Sequence, residues 1–230
     1  SDAFNAAENL PKDGTKKDSL EFSLMKARLE IYYENIPSNS LRKFKERVKE
    51  SASDANIYGL SLAYHKTNDN EESINLINKL IDLYPKNLIL NNTKIDILYE
   101  NGRYNEALDL ANKFLEISPR NYPLSISKSK ILLSMGQYFQ SEEIIRDQLL
   151  RKNNNPELWL LLSEIQRASK NIVGYHQSRA EYFLLLGQSE RALNQLEFAL
   201  KLTQNNFQVS ERIMTKIIDI KNEINRSRGL

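Results

Sequence analysis

The chain has 230 residues, enough for one large domain or two small ones, and its 40% hydrophobic and 27% charged residues describe a chain that buries a core. Lys and Arg total 32 against 30 Asp and Glu, a net charge of +2 that gives no electrostatic case for nucleic acid or an anionic membrane surface. With no cysteine and only two histidines, His65 and His176, a disulfide framework, a thiolate metal site, a cysteine nucleophile and an H-E-x-x-H zinc helix are all excluded.

In chain order, residues 2–8 read as a short helix and 9–18 as a linker rich in Pro, Gly, Lys and Asp. The first residues lack a basic stretch followed by an apolar one, which predicts no secretory signal there. Residues 20–34 read as a helix with Leu20, Leu24, Ala27 and Ile31 on one face. Residues 41–51 read as another, with Leu41, Phe44 and Val48 on one face and Ser40 as its N-cap. Arg42, Lys43, Lys45, Arg47 and Lys49, with Glu46 and Glu50 between them, form a solvated face on that helix.

From residue 54 a repeat dominates. Gly102-Arg103-Tyr104-Asn105-Glu106-Ala107-Leu108 has a downstream counterpart at Gly136 to Glu142 and, at the same offset upstream, another at Asn68 to Ile74. A left-handed turn is needed where the first helix of each unit ends, and Asn68, Gly102 and Gly136 supply it. Ser73, Ala107 and Ser141 are small where paired helices approach closely. Pro85 and Pro119 stop the second helix, because proline lacks an N–H and clashes with the preceding turn.

A fourth unit begins at Pro156, with Trp159 and Leu162 at its first-helix stations and a turn at Lys170-Asn171. The next turn motif, Gly187-Gln188-Ser189-Glu190-Arg191-Ala192-Leu193, lies one and a half periods after Gly136. The helix over 173–185 is thus expected to close one pair and open the next. A capping helix follows over 208–226, with Val209, Ile213, Ile217, Ile220 and Ile224 on one face.

The offset from Asn68 to Gly102 to Gly136 is the 34-residue helix–turn–helix period of the tetratricopeptide repeat. The expected fold is therefore an all-α superhelix of eleven antiparallel helices from residue 20 and a twelfth at 2–8. Its expected organisation is a linker and connector-helix end over 1–19, then one repeat domain over 20–230. That domain divides into a non-consensus pair over 20–52, repeats over about 54–187, and a half-shifted pair with the capping helix over 173–227.

First helices of such repeats line a concave face. The stations that point into it hold Tyr58, Leu62 and His65, then Asn92, Asp96 and Tyr99, then Ile126, Lys130 and Leu133, then Leu160, Glu164 and Arg167. These twelve are the expected partner-binding residues, with Tyr58, Tyr99 and Arg167 as anchors. A paired Lys and Asn array that would clamp a peptide carboxylate is absent, since Asp96 stands where Asn is needed.

Two stretches carry a more specific resemblance: Glu21-Phe22-Ser23-Leu24-Met25-Lys26-Ala27-Arg28-Leu29, and Arg179-Ala180-Glu181-Tyr182 through Gly187-Gln188 and Ala192 to Gln195-Leu196, on to Ser210-Glu211-Arg212. Both resemble the repeat domain of the β-barrel assembly-enhancing metalloproteases, the BepA or YfgC type. Ser1-Asp2-Ala3 resembles the end of the helix leading out of the protease domain. The resemblance implies a periplasmic parent active in outer-membrane protein assembly and quality control. The zinc site of that parent lies in a protease domain this chain lacks, so no catalytic residue, metal or cofactor is expected here. The implied partners are that protease domain, the barrel-assembly machinery and unfolded or stalled barrel clients, with no nucleic acid and no membrane span. The alternative is a free-standing repeat adaptor or assembly lipoprotein of the cell envelope.

Overall fold

The computed structural model describes residues 19–203, 206–227 and 229. Twelve α-helices lie among them: α1 (Leu20–Tyr33), α2 (Pro37–Glu50), α3 (Asp54–Lys66), α4 (Asn70–Leu83), α5 (Leu88–Glu100), α6 (Tyr104–Ile117), α7 (Tyr122–Ser134), α8 (Tyr138–Leu149), α9 (Pro156–Ala168), α10 (Ile172–Leu185), α11 (Ser189–Lys201) and α12 (Phe207–Ser227). There is no strand among the described residues. That is one helix more from residue 20 onward than expected, and the segment 2–8 lies outside the described residues.

The period reaches further upstream than its motif. Helices α1, α3, α5, α7 and α9 begin one full period apart, at Leu20, Asp54, Leu88, Tyr122 and Pro156. Their N-caps keep that spacing. Side-chain oxygens of Ser19, Ser53, Asn87, Asn121 and Asn155 accept from the backbone N–H of Phe22, Asn56, Leu90, Leu124 and Glu157. Each cap satisfies a donor that the helix leaves unpaired. Removing the Asn121 side chain (Asn121→Ala) is expected to cost about 1 kcal/mol, read as a lowered urea midpoint with unchanged far-ultraviolet dichroism.

Turns within pairs share a second signature. Gly136 N–H donates to Leu133 O and Gln137 N–H to Leu132 O, at 3.1 and 2.8 Å, and the same bond pair recurs at Asn68, Gly102, Lys170 and Gly187. All five residues have positive φ, between 61° and 76°. Pair α1/α2 lacks this device. Pro37 opens α2, and Ile36 N–H donates to Glu34 Oε1. This corrects the expected helix start at residue 41. Ser40 is not an N-cap: it lies inside α2, is buried, and its hydroxyl has no hydrogen-bond partner.

The chain divides into two compact units, one up to Ile97 and one from Leu98. In the first, α3 packs against α1, α2 and α4. Its core joins Leu24, Ala27 and Ile31 of α1 to Phe44, Tyr58, Leu60, Ala63, Ile77, Leu80, Leu90 and Ile97. Close approach of α3 and α4 is sealed by Ser61 Oγ, which donates to Ser73 O at 2.8 Å.

In the second unit the same device sits between α7 and α8, where Ser141 Oγ donates to Ser129 O at 2.8 Å. Helix α10 enters through one left-handed turn, at Lys170, and leaves through another, at Gly187. It packs against both α9 and α11. Ala180 and Ala192, at the same separation along the chain as Ser129 and Ser141, are fully buried in one cluster with Phe183, Leu196, Ala199, Ile213, Ile217 and Ile220. Asn206 then caps α12 by accepting from Val209 N–H, as Asn121 and Asn155 cap α7 and α9. The residues of α10 and α11 thus repeat the pairing chemistry of α7 and α8, displaced by half a period.

Candidate protein-interaction surface

In the first unit, α1 changes what the expected stations can do. Arg28 reaches from α1 and donates through Nε to Tyr58 Oη at 3.0 Å and through Nη2 to Thr93 Oγ1 at 2.5 Å. Tyr58 and Thr93 share a third bond at 2.9 Å, and Thr93 Oγ1 also bonds Ile89 O. Tyr58 is fully buried. The expectation that it anchors a partner in an open groove is corrected: its ring belongs to the core, and its hydroxyl to a bridge among α1, α3 and α5. Lys66 of α3 also donates to the carbonyls of Ile31 and Glu34 at the end of α1.

The other stations of this unit are half-buried. Leu62 packs on the core. His65 Nδ1 lies 3.0 Å from Asn70 Oδ1. Asn92 donates to Asp96 Oδ2 at 3.1 Å, one turn along α5.

Of the basic run on α2, Arg42, Lys43, Lys45 and Lys49 are exposed and Arg47 is half-buried. Lys43 and Arg47 both bond the Glu30 carboxylate of α1, and Lys45 sits 5.0 Å above the Tyr64 ring. Partial burial alone would raise the Glu30 pKa. The bonds and charges of Arg47 and Lys43 outweigh it and hold the carboxyl below its ordinary value. A depressed folded-state pKa contributes stability that is present above the unfolded value and lost as pH falls through the folded one. The Tm gap between the parent chain and Glu30→Gln is therefore expected to be open at neutral pH and to close below about pH 4. A gap independent of pH would refute this.

In the second unit the stations stay accessible. Tyr99 is half-buried, with its hydroxyl 3.2 Å from Ser134 Oγ and its ring 5.8 Å from that of Tyr104. Ile126 and Leu133 pack against the cluster of Ile145, Leu149, Leu158, Leu161, Leu162 and Ile165, leaving part of each exposed. Leu160 is half-buried, while Lys130, Glu164 and Arg167 are exposed. The surface is apolar at its base and carries both signs of charge above it. Such a surface suits a helix or extended segment with alternating side chains.

One concavity has no signal in the repeat pattern. A cleft of about 610 Å³ opens where Arg146, Trp159, Gln166, Gln177, Glu181 and Val209 converge. Trp159 is half-buried there, and its Nε1–H donates to Asn153 O at 2.7 Å. Glu181 is bonded to Lys216 of α12. Among the described residues, no group of three or more His, Cys, Asp or Glu is placed to hold a metal, and no helix is long and apolar enough to cross a membrane.

Comparisons with known proteins agree with this architecture. Residues 98–165 match a tetratricopeptide-repeat model, and residues 56–87 match a second one. No curated protein matches the chain. Among solved structures it is similar to PilW, a widely conserved type IV pilus biogenesis factor, with a TM-score of 0.62 at 14% identity over 86% of this chain and 91% of that one. It is also similar to pilF of Pseudomonas aeruginosa, at 0.56 and 14% over 85% and 96%, and to MamA (41-end) of Desulfovibrio magneticus RS-1, at 0.53 and 13% over 74% and 96%. The chain is an all-α tetratricopeptide-repeat solenoid. Domains of this class are non-catalytic modules that bind other proteins.

Proposed function

We propose that this module is the repeat domain of a two-part periplasmic zinc metalloprotease of the β-barrel assembly-enhancing type, binding protein partners in outer-membrane protein assembly and quality control. The observation that carries the reading is the double use of α10. The stretch from Arg179 to Gln188 that resembles that family is the stretch that gives α10 its second pairing face, through Ala180, and its second left-handed turn, at Gly187. Lys26-Ala27-Arg28, the other telling stretch, places Arg28 across Tyr58 and Thr93. Family-like residues therefore stand where this solenoid departs from a plain repeat. The partner surface of the second unit is formed by Tyr99, Ile126, Lys130, Leu133, Leu160, Glu164 and Arg167. Zinc and peptide hydrolysis belong to the protease domain, and this chain contributes recognition.

The test is a photo-crosslinking residue placed at Lys130, Glu164 or Arg167 in the chain as its cell encodes it, with exposed Lys86 as the control position. Adducts with barrel-assembly components or unfolded barrel proteins, together with an H-E-x-x-H helix encoded upstream of Ser1, are expected. Absence of that helix overturns the reading. Similarity to PilW over 91% of its length favours a second one, a free-standing adaptor of envelope assembly. Adducts confined to pilus-assembly proteins would select it.

A further inference from the structure

Helix α1 is apolar on two faces. Leu24, Ala27 and Ile31 enter the core, yet Phe22, Met25, Leu29, Tyr32 and Tyr33 are exposed, and so is Ile36 just beyond the helix. Phe22, Met25, Leu29 and Tyr32 follow one another at alternating three- and four-residue steps, the spacing of a coiled-coil seam. A helix apolar on both sides is normally covered on both.

The repeat shows what this face is for. Equivalent positions in successive first helices are Met25, Gly59, Thr93, Ser127 and Leu161, and likewise Leu29, Ala63, Ile97, Ile131 and Ile165. Every member of both series is buried except Met25 and Leu29, which are 40% and 50% exposed. At Gly59 the cover is the Phe44 ring of the preceding second helix. Helix α1 carries the same stacking face, and among the described residues no helix precedes it.

We propose that this face joins two copies of the chain, α1 against α1 in parallel about a twofold axis. Charge selects the partner and its direction. With Phe22 and Leu29 at a and Met25 and Tyr32 at d, Glu21 falls at g and Lys26 at the following e. Those are the positions that pair between parallel strands, so a second copy presents Lys26 to Glu21 and Glu21 to Lys26. Antiparallel pairing would instead require Arg28, whose guanidinium is committed to Tyr58 and Thr93. The exposed parts of Phe22, Met25, Leu29, Tyr32 and Tyr33, with aromatic side chains of about 150–250 Å² each, offer on the order of 600 Å² per protomer, the lower end of the range for a specific interface. Because α1 is already held by the core, pairing orders no new helix.

The natural chain has no cysteine, so Met25→Cys introduces a single thiol at a seam position. Sedimentation of the full chain is expected to show a dimer at micromolar concentration. Oxidised Met25→Cys is expected to form a covalent dimer about tenfold or more faster than Lys113→Cys, at an exposed position on α6, the figure marking one decade of effective proximity. Leu29→Lys should sediment as a monomer with unchanged helicity, since its side chain lies outside the core. A parent chain that remains monomeric overturns the proposal, whether residues 1–18 or another protein covers the stripe. So does crosslinking at Met25 no faster than at Lys113, which reads the interface even if Leu29→Lys fails to fold.

Discussion

Replacing Ala107 with arginine is expected to destabilise the second unit by about 3 kcal/mol, the cost of burying an uncompensated charge. Ala107 is fully buried in the first turn of α6, on the face that also buries Ala111 and Phe114. Its counterparts one period away on either side, Ser73 and Ser141, sit where a hydroxyl of the paired helix is within hydrogen-bond reach. A station that closes on a serine hydroxyl has no room for a guanidinium, and overpacking alone costs about 1–3 kcal/mol. One escape exists: the site is one turn from the start of α6, so a long side chain can partly snorkel toward the exposed Arg103–Glu106 pair. That keeps the expected loss near the lower end of the range for an unpaired buried charge. Asn105→Arg, on the exposed side of the same turn, should stay within about 0.5 kcal/mol. Urea unfolding followed by hydrogen exchange in α6 and α7 reads the effect locally, as a repeat solenoid requires. Equal midpoints for the two variants would place the pairing station elsewhere.

The helix pairs from Asp54 to Leu149 are legible in the sequence because each pair ends its first helix with an Asn or Gly whose turn chemistry is plain. Pair α1/α2 keeps the same period but reads as non-consensus, because its turn is built on Pro37 and Glu34 and offers no left-handed residue to align. The N-caps from Ser19 to Asn155 carry the missing signal. Ser and Asn are common, and only their even spacing sets these five apart. Tyr58 misleads for a different reason. Its station along α3 is correct, but its exposure depends on Arg28 of α1. No local pattern announces that a long cation from another helix will bridge two hydroxyls. In the second unit, no such cation crosses the stations among the described residues.

A single methyl group added at Gly59 is expected to cost about 2–3 kcal/mol, against the usual direction of the change. Inside a helix, glycine to alanine normally stabilises by about 0.5–1 kcal/mol, since alanine restricts the unfolded chain. Here an added Cβ would lie 2.1 Å from Cε1 and 2.5 Å from Cδ1 of the Phe44 ring. Those distances are far inside van der Waals contact. The ring is 1% exposed, in a core that also holds Leu24, Tyr58 and Ile77. The buried ring stands in the way of the new methyl group, so α2 and α3 must separate locally to admit it. Overpacking therefore outweighs the propensity gain. Trimming the ring should reverse the order: with Phe44→Leu in place, Gly59→Ala is expected to cost less than about 1 kcal/mol, a coupling of at least about 1 kcal/mol in a double-mutant cycle. Thermal unfolding of the four chains measures it. Additive effects would mean that the ring and the glycine do not touch, and the close approach of α2 to α3 would have to rest on something else.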